Sequence, residues 1–246
     1  MRTPPRFSLV IPAYNEERCL PRLLDSVDLA RRRYRGGQGA IEVIVADNAS
    51  TDRTAAIARE RGCGVVGVEK RAIAAARNGG ARLALGEILA FTDADMRIHP
   101  GTFDAIDDVL STGRVVGGAT GTTIERWSPG IALTFAMMVP MVWLTGMDTG
   151  VVFCRREDFE AIGGYDESRR VAEDVAFLMA LRRLGRTRGQ RLARATTAKT
   201  VASARKFDEY GDWHYFLLMP RLAIKLLVDP RASGAFAEQY WYRPKR

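Results

Sequence analysis

Between residues 7 and 93 one arrangement repeats: a short apolar, β-branched run, a stop of acids or amides, then a stretch with helical spacing. Phe7 to Ile11 is the first run, closed by Pro12, and Leu20, Leu23, Leu24, Val27 and Leu29 then fall on a helical period until Gly36, Gly37 and Gly39 break it. Ile41 to Ala46 predicts a second strand, Asn48 to Asp52 a turn and cap, and Thr54 to Arg61 a helix. A third strand follows at Val65 to Val68, an Ala-rich helix at Ala72 to Leu85 ending on Gly86, and a fourth strand at Ile88 to Thr92. Strands alternating with helices predict a mostly parallel, Rossmann-like α/β sheet with right-handed crossovers. The ligand crevice of such a sheet lies at the C-terminal ends of its strands.

Composition narrows the class further. With 47% hydrophobic and 27% charged residues over 246 positions, the chain can bury a core and is neither disordered nor polytopic. Three cysteines, Cys19, Cys63 and Cys154, form no CxxC pair, so neither a disulfide framework nor a structural zinc site is expected. A reducing, cytoplasmic compartment fits, and the five-residue apolar run before Pro12 is too short for a secretory leader. Ile131 to Met147 is uncharged but interrupted by Pro140 and Gly146, which predicts a buried or interfacial helix over a spanning one. The net charge of +8 suits anionic lipid, nucleic acid or a phosphorylated ligand equally well.

Three strands deliver acids or amides to the predicted crevice: Tyr14, Asn15 and Glu16 after the first, Asp47 and Asn48 after the second, Asp93 and Asp95 after the fourth. Each cluster alone could be a turn or a helix cap. Their shared edge gives them weight, because two carboxylates two residues apart at a strand end can bind Mg or Mn, which prefer oxygen ligands and bridge phosphates. No GxxxxGK[ST] or GxGxxG follows any strand, which disfavours a P-loop NTPase or a dinucleotide dehydrogenase.

The segments Val10 to Glu16 (VIPAYNE), Ala46 to Asp52 (ADNASTD), Ala76 to Gly79 (ARNG) and Phe91 to Asp95 (FTDAD) resemble, in order and spacing, the nucleotide-sugar motifs of family 2 glycosyltransferases. Gly150 to Arg155, Gly163 to Asp166 and Ala172 to Asp174 continue the resemblance, so that it covers roughly residues 7 to 205. It implies a GT-A fold and an inverting transfer from a nucleotide diphosphate sugar with a divalent metal. A single GT-A domain is expected: a nucleotide-sugar half at about 7–95, an acceptor half with the catalytic base at about 96–205, and a C-terminal helix and tail at about 206–246.

The resemblance assigns roles that elementary chemistry supports. A departing nucleoside diphosphate must have its developing charge stabilised by a metal or by cations. Asp95 is the expected metal ligand, Asp93 faces the ribose or reaches the metal through water, and Asp47 reads the base. Pro12, Ala13 and Tyr14 line the base pocket, with Glu16 near the nucleoside. Arg77 meets phosphate or base through its planar fork. Asp174, the second acid of the Glu173–Asp174 pair, is the expected general base, although both acids would also favour a helix N-terminus through its dipole. Gly163 and Gly164 allow a tight turn near the acceptor, Asp148 binds a sugar hydroxyl, Arg205 binds the leaving diphosphate, and His214 completes the metal shell or packs on a helix from Gly211 to Leu227.

The acceptor is the least legible element. Ile131 to Leu144 and Tyr215 to Val228 are apolar, the second interleaved with Arg221 and Lys225, which fits either headgroup contact or packing against the sheet or a dimer partner. The expectation is a peripheral enzyme of the cytoplasmic membrane face, acting on a lipid-linked or other hydrophobic acceptor, without nucleic acid. A nucleotidylyltransferase would carry a Gly-rich basic loop after the first strand, which Pro12 to Glu16 is not. A noncatalytic nucleotide- or RNA-binding module would leave Asp93, Asp95 and Asp174 without a purpose.

Overall fold

The computed structural model describes residues 4–145, 147–169 and 172–218. Strand β1 (Phe7–Ala13) pairs in parallel with β2 (Ile41–Asp47) on one side and β4 (Ile88–Phe91) on the other, and β2 pairs in parallel with β3 (Gly64–Gly67). Helices α1 (Leu20–Arg33), α2 (Thr54–Glu60) and α3 (Ile73–Leu83) make the crossovers. Beyond β4 the sheet continues through β8 (Val152–Arg155), β6 (Val115–Ala119) and β9 (Arg191–Arg194), in the order β3-β2-β1-β4-β8-β6-β9. Only β8 departs from the parallel rule, running antiparallel to both β4 and β6. The strand order turns outward in both directions from β1 and β4, and the acidic strand ends converge at that switch point.

Side-chain alternation explains why the strands read as unbroken apolar runs. Phe7, Leu9 and Ile11 face one layer with Leu20, Leu23 and Val27 of α1 and with Phe103, Ile106 and Leu110 of α4 (Thr102–Ser111). Val10 faces the other layer, with Ala74 of α3 and with Phe177, Leu178 and Leu181 of α7 (Glu173–Thr187). A strand covered on both sides is apolar at nearly every position, and Ser8 is the buried polar exception in β1. Each fully buried Phe or Leu of this kind contributes about 1.5–3 kcal/mol. Helix α6 (Arg156–Ala161) adds Phe159 to the second layer.

Two glycines explain how closely α3 and its exit approach β1. A Cβ on Gly80 would stand 2.3 Å from Val10 Cγ1, so α3 lies against the strand only because the residue has no side chain. Gly86 was expected to cap α3, but the cap is Ala84. Gly86 instead lets its backbone touch β1: its N–H donates to Ser8 Oγ at 2.7 Å, and a Cβ would meet the Phe7 carbonyl carbon at 2.5 Å.

A second, three-stranded sheet of β5 (Met96–Arg97), β10 (Thr200–Ala202) and β7 (Thr122–Ile124) lies beside the crevice. Strands of two or three residues carry no periodicity to read. The apolar segment forms α5 (Pro129–Thr145), 17 residues with Pro140 inside, and no helix of the described residues is long and apolar enough to cross a membrane. Its Ile131 and Thr134 are buried, whereas Leu133, Met137 and Val139 are exposed. The basic segment at Arg205 opens a short helix, α8 (Arg205–Tyr210), and a separate helical turn runs from His214 to Leu218. The rest of the expected C-terminal helix and tail lies outside the described residues.

Candidate active site

The loops after β1 and β2 are laced together at the sheet edge. The Asn15 N–H donates to Ser50 Oγ (3.0 Å), the Glu16 N–H to Thr54 Oγ1 (2.8 Å) and the Glu17 N–H to Asp52 Oδ2 (3.1 Å), while Asn15 Oδ1 accepts from the Thr51 N–H (2.8 Å). Asn15 and Ala49 both hold positive φ, 51° and 60°, a conformation that such crossed hydrogen bonds sustain. Asn48 is structural: its amide donates to the Val68 and Lys70 carbonyls and so ties the loop before α3 to the same edge. Asp47 is half-buried, with Oδ1 accepting from the Ser50 N–H at 3.2 Å.

The pocket residues differ in detail from expectation. Pro12 and Ala13 belong to β1 itself, and the Ala13 methyl is buried in the core, so its carbonyl, which accepts the Asn48 N–H at 2.8 Å, is what it presents to the edge. The Tyr14 ring is covered by the Arg71 guanidinium, 4.1 Å from its centroid, a cation–π contact not anticipated from the sequence.

Arg205 closes the acidic pair on this side. Its fork donates to both carboxylate oxygens of Glu16 (3.0 and 3.1 Å) and to Asp95 Oδ2 (3.2 Å), with Cys19 Sγ 3.4 Å away. Burial and the nearby Asp93 push the Asp95 carboxyl above its ordinary pKa, against the pull of Arg205. Arg205 therefore neutralises the acids directly. Asp95 and its neighbours suit a hard divalent cation, since Mg-type ions take one or two protein carboxylates and complete their shell with substrate phosphates and water. His214 does not extend this set into a preformed cage: its ring lies between Tyr210 (4.9 Å) and Tyr215 (5.2 Å). Among the described residues no group of three or more His, Cys, Asp or Glu is arranged to hold an ion.

The other side of the crevice is organised by α3. Arg77 was expected to face phosphate or base, or else solvent. Its side chain is instead 4% exposed and taken up by acids: Nη2 donates to Asp93 Oδ1 (2.9 Å), and Nη1 to Glu173 Oε1 (3.2 Å) and Asp174 Oδ1 (2.5 Å). Asn78, next along α3, grips the backbone of Tyr165 in both directions, donating to its carbonyl and accepting its N–H, each at 2.9 Å. That clamp needs Gly163 and Gly164, at φ 77° and 74°, because a Cβ on Gly164 would meet Asn78 Oδ1 at 2.8 Å. Tyr165 stacks on Phe177 (4.1 Å) and lies 5.1 Å from the Arg77 guanidinium carbon. Asn78 and Tyr165 stand inside the motifs quoted above, yet their pairing across 87 residues left no sign in the sequence.

Asp174 opens α7 behind Ala172, whose φ of 57° is rare for a residue with a side chain. Burial raises its pKa, as does the charge of Asp93, while Arg77 opposes both. Glu173 is raised by burial in the same way. Asp148 accepts from Arg194 Nε at 2.6 Å and is largely shielded.

A doubly covered sheet with carboxylates at its switch point and a second acid pair across the crevice is the architecture of the GT-A fold. The family model for glycosyl transferase family 2 matches residues 8–140, and the chain belongs to that family. It is 38% identical over 104 residues to a 4,4'-diaponeurosporenoate glycosyltransferase of Staphylococcus haemolyticus, a match covering 37% of this chain and 24% of that protein. Its fold is similar to S. aureus TarS in complex with UDP-GlcNAc (TM-score 0.61, 21% identity, 80% of this chain and 58% of that one). It is also similar to the mannosyltransferase PcManGT of Pyrobaculum calidifontis in complex with GDP-Man and Mn2+ (TM-score 0.60, 24% identity, 82% and 57%). The chain spans less than two thirds of each of these relatives.

Proposed function

We propose that this protein is an inverting glycosyltransferase that moves a sugar from a UDP- or GDP-linked donor to a hydroxyl or phosphate acceptor. The observation that carries the reading is the shared guanidinium of Arg77, which joins a donor-side acid, Asp93, to the base, Asp174. The donor base lies among Pro12, Ala13, Tyr14 and Asp47, with Glu16 near the nucleoside and Arg205 toward the diphosphate. Asp95 would hold Mg or Mn, with His214 as the further candidate ligand. The metal, when bound, offsets the charge of the departing nucleoside diphosphate. Asp174 takes the proton of the acceptor hydroxyl as that oxygen attacks the anomeric carbon from the face opposite the leaving group. A carboxylate with raised proton affinity suits that task. Asp148, Gly163, Gly164 and Glu173 shape the acceptor side.

Exposed Leu133, Met137 and Val139 on α5, with Trp127 beside its start, support a hydrophobic, lipid-linked acceptor met at an anionic membrane surface of the cytoplasm. Three free thiols agree with that compartment. Sedimentation with anionic liposomes at low salt tests this, and protein that stays in solution as a dimer through α5 would replace lipid with a second copy.

A thermal-shift panel of UDP, GDP, ADP, CDP and TDP, each with Mn, Mg or EDTA, tests the donor half, because a ligand of the native state raises apparent stability. The expected result is a metal-dependent shift with UDP or GDP. Folded protein that responds to no diphosphate would contradict the reading.

A further inference from the structure

We propose that Arg77 is the positioning residue of the transfer: it holds Asp174 by one carboxylate oxygen from behind, turns the other toward the acceptor hydroxyl, and fixes that base relative to Asp93 at the donor edge. This rests on the glycosyltransferase reading and adds to it a task for a buried cation.

The geometry separates this role from substrate binding. The Arg77 side chain is 4% exposed, whereas Asp93 is 44% and Asp174 29% exposed. The carboxylates stand in front and the cation behind them. An arginine that received a phosphate would present its fork to the crevice, but both ends of this fork are already occupied, and Nε is buried without a hydrogen-bond partner. The three acids come from the end of β4 and the first turn of α7, 16, 96 and 97 positions away from Arg77 in the chain. A planar, forked cation is pre-organised to meet acids on two elements at once.

The surroundings keep the fork from moving. Tyr165 packs beneath the guanidinium, Phe177 stacks on Tyr165, and Asn78 locks the Tyr165 backbone. Ala172 enters α7 in the left-handed region, a conformation that persists where surrounding contacts enforce it, and the grip on Glu173 and Asp174 is such a contact. The groups facing Asp174 are thus Arg77 from α3, Asp93 from the end of β4, Tyr165 from the loop before α7, and Glu173 from its own helix. One cation serves three carboxylates, so the cluster stays negative. That balance lets Asp174 be ionised yet basic: burial and Asp93 raise its affinity for a proton, and Arg77 limits the rise. In the step itself the acceptor O–H proton passes to Asp174 Oδ2. The acceptor oxygen then bonds to the anomeric carbon, and the bond from that carbon to the diphosphate oxygen breaks, its electron pair leaving with the nucleoside diphosphate.

The test compares wild type, Arg77→Lys and Glu173→Gln for kcat, donor KM, nucleoside diphosphate binding, thermal stability and pH profile of donor turnover. Lysine keeps the charge but reaches only one acid, so kcat should fall on the order of 100-fold with nucleotide binding little changed. The acid limb of kcat should move to higher pH, because Asp174 loses the guanidinium hydrogen bond that helped hold its proton affinity down. Glu173→Gln removes a negative neighbour and should move the same limb to lower pH, which covers the case in which Arg77→Lys does not fold. Opposite movements support positioning. Arg77→Lys that loses nucleotide affinity with kcat intact, or limbs that stay in place in both variants, would overturn it. A wild type that binds no nucleoside diphosphate and turns over no nucleotide sugar would overturn the parent reading, and this one with it.

Discussion

The two sides of the crevice are built by different means. The donor edge is local in design: loops that leave adjacent strands are stitched by hydrogen bonds between backbone N–H groups and the side chains of Asn15, Ser50, Asp52 and Thr54. The acceptor side is built by side chains far apart in sequence, Arg77 with Asp174 and Asn78 with Tyr165. Backbone-anchored loops resist single lesions, because each side chain there is one of several ties. An ionic cluster closed around a buried cation is more sensitive, since losing a partner leaves charge there less well compensated.

Lesions on the two sides should therefore separate binding from turnover. The largest effect at the donor edge is expected from Asp95→Ala, which should cost donor turnover on the order of 100-fold or more and remove the metal-dependent part of nucleotide binding in a titration with Mn. Retained metal dependence would break the comparison at its donor end. Gly86→Ala should destabilise by about 1–3 kcal/mol in denaturant unfolding, since its Cβ would collide with β1 backbone. A smaller effect is expected in the pH profile of the wild type. Asp174 retains its proton to higher pH than an ordinary carboxyl and can act as a base only without it. The rate should accordingly rise with pH through a value above the usual aspartate range, whereas nucleotide binding should not share that limb. The smallest effect on stability belongs to Leu133→Ser with Met137→Ser on the exposed face of α5, within about 0.5 kcal/mol. The same pair should reduce sedimentation with anionic liposomes.

The same contrast explains what the sequence made legible. Strands β1, β2 and β4 were readable because burial on both faces favours continuous apolar runs, and their acids were readable because strand ends share an edge by topology. Helix ends were less so: Gly86 looked like a cap, but its φ is not positive, and its small size serves a close approach to Ser8. Arg77 stood out as a motif residue, yet its burial and its three acids depend on how α3 meets α7, which no local pattern encodes. The antiparallel insertion of β8 and the short sheet of β5, β10 and β7 were equally silent, since strands of two or three residues carry too few positions for a period and no local pattern sets the direction in which β8 enters the sheet. Arg71 over Tyr14 is a contact between loops, and loops announce their turns but not their partners.

Asp174→Asn decides whether Asp174 acts in the chemical step on a donor held elsewhere. Asparagine keeps the shape but cannot accept the proton. Transfer should fall by about 100- to 10,000-fold while metal-dependent UDP or GDP binding stays near that of the wild type. An Asp174→Asn protein that transfers sugar at the wild-type rate would contradict that role.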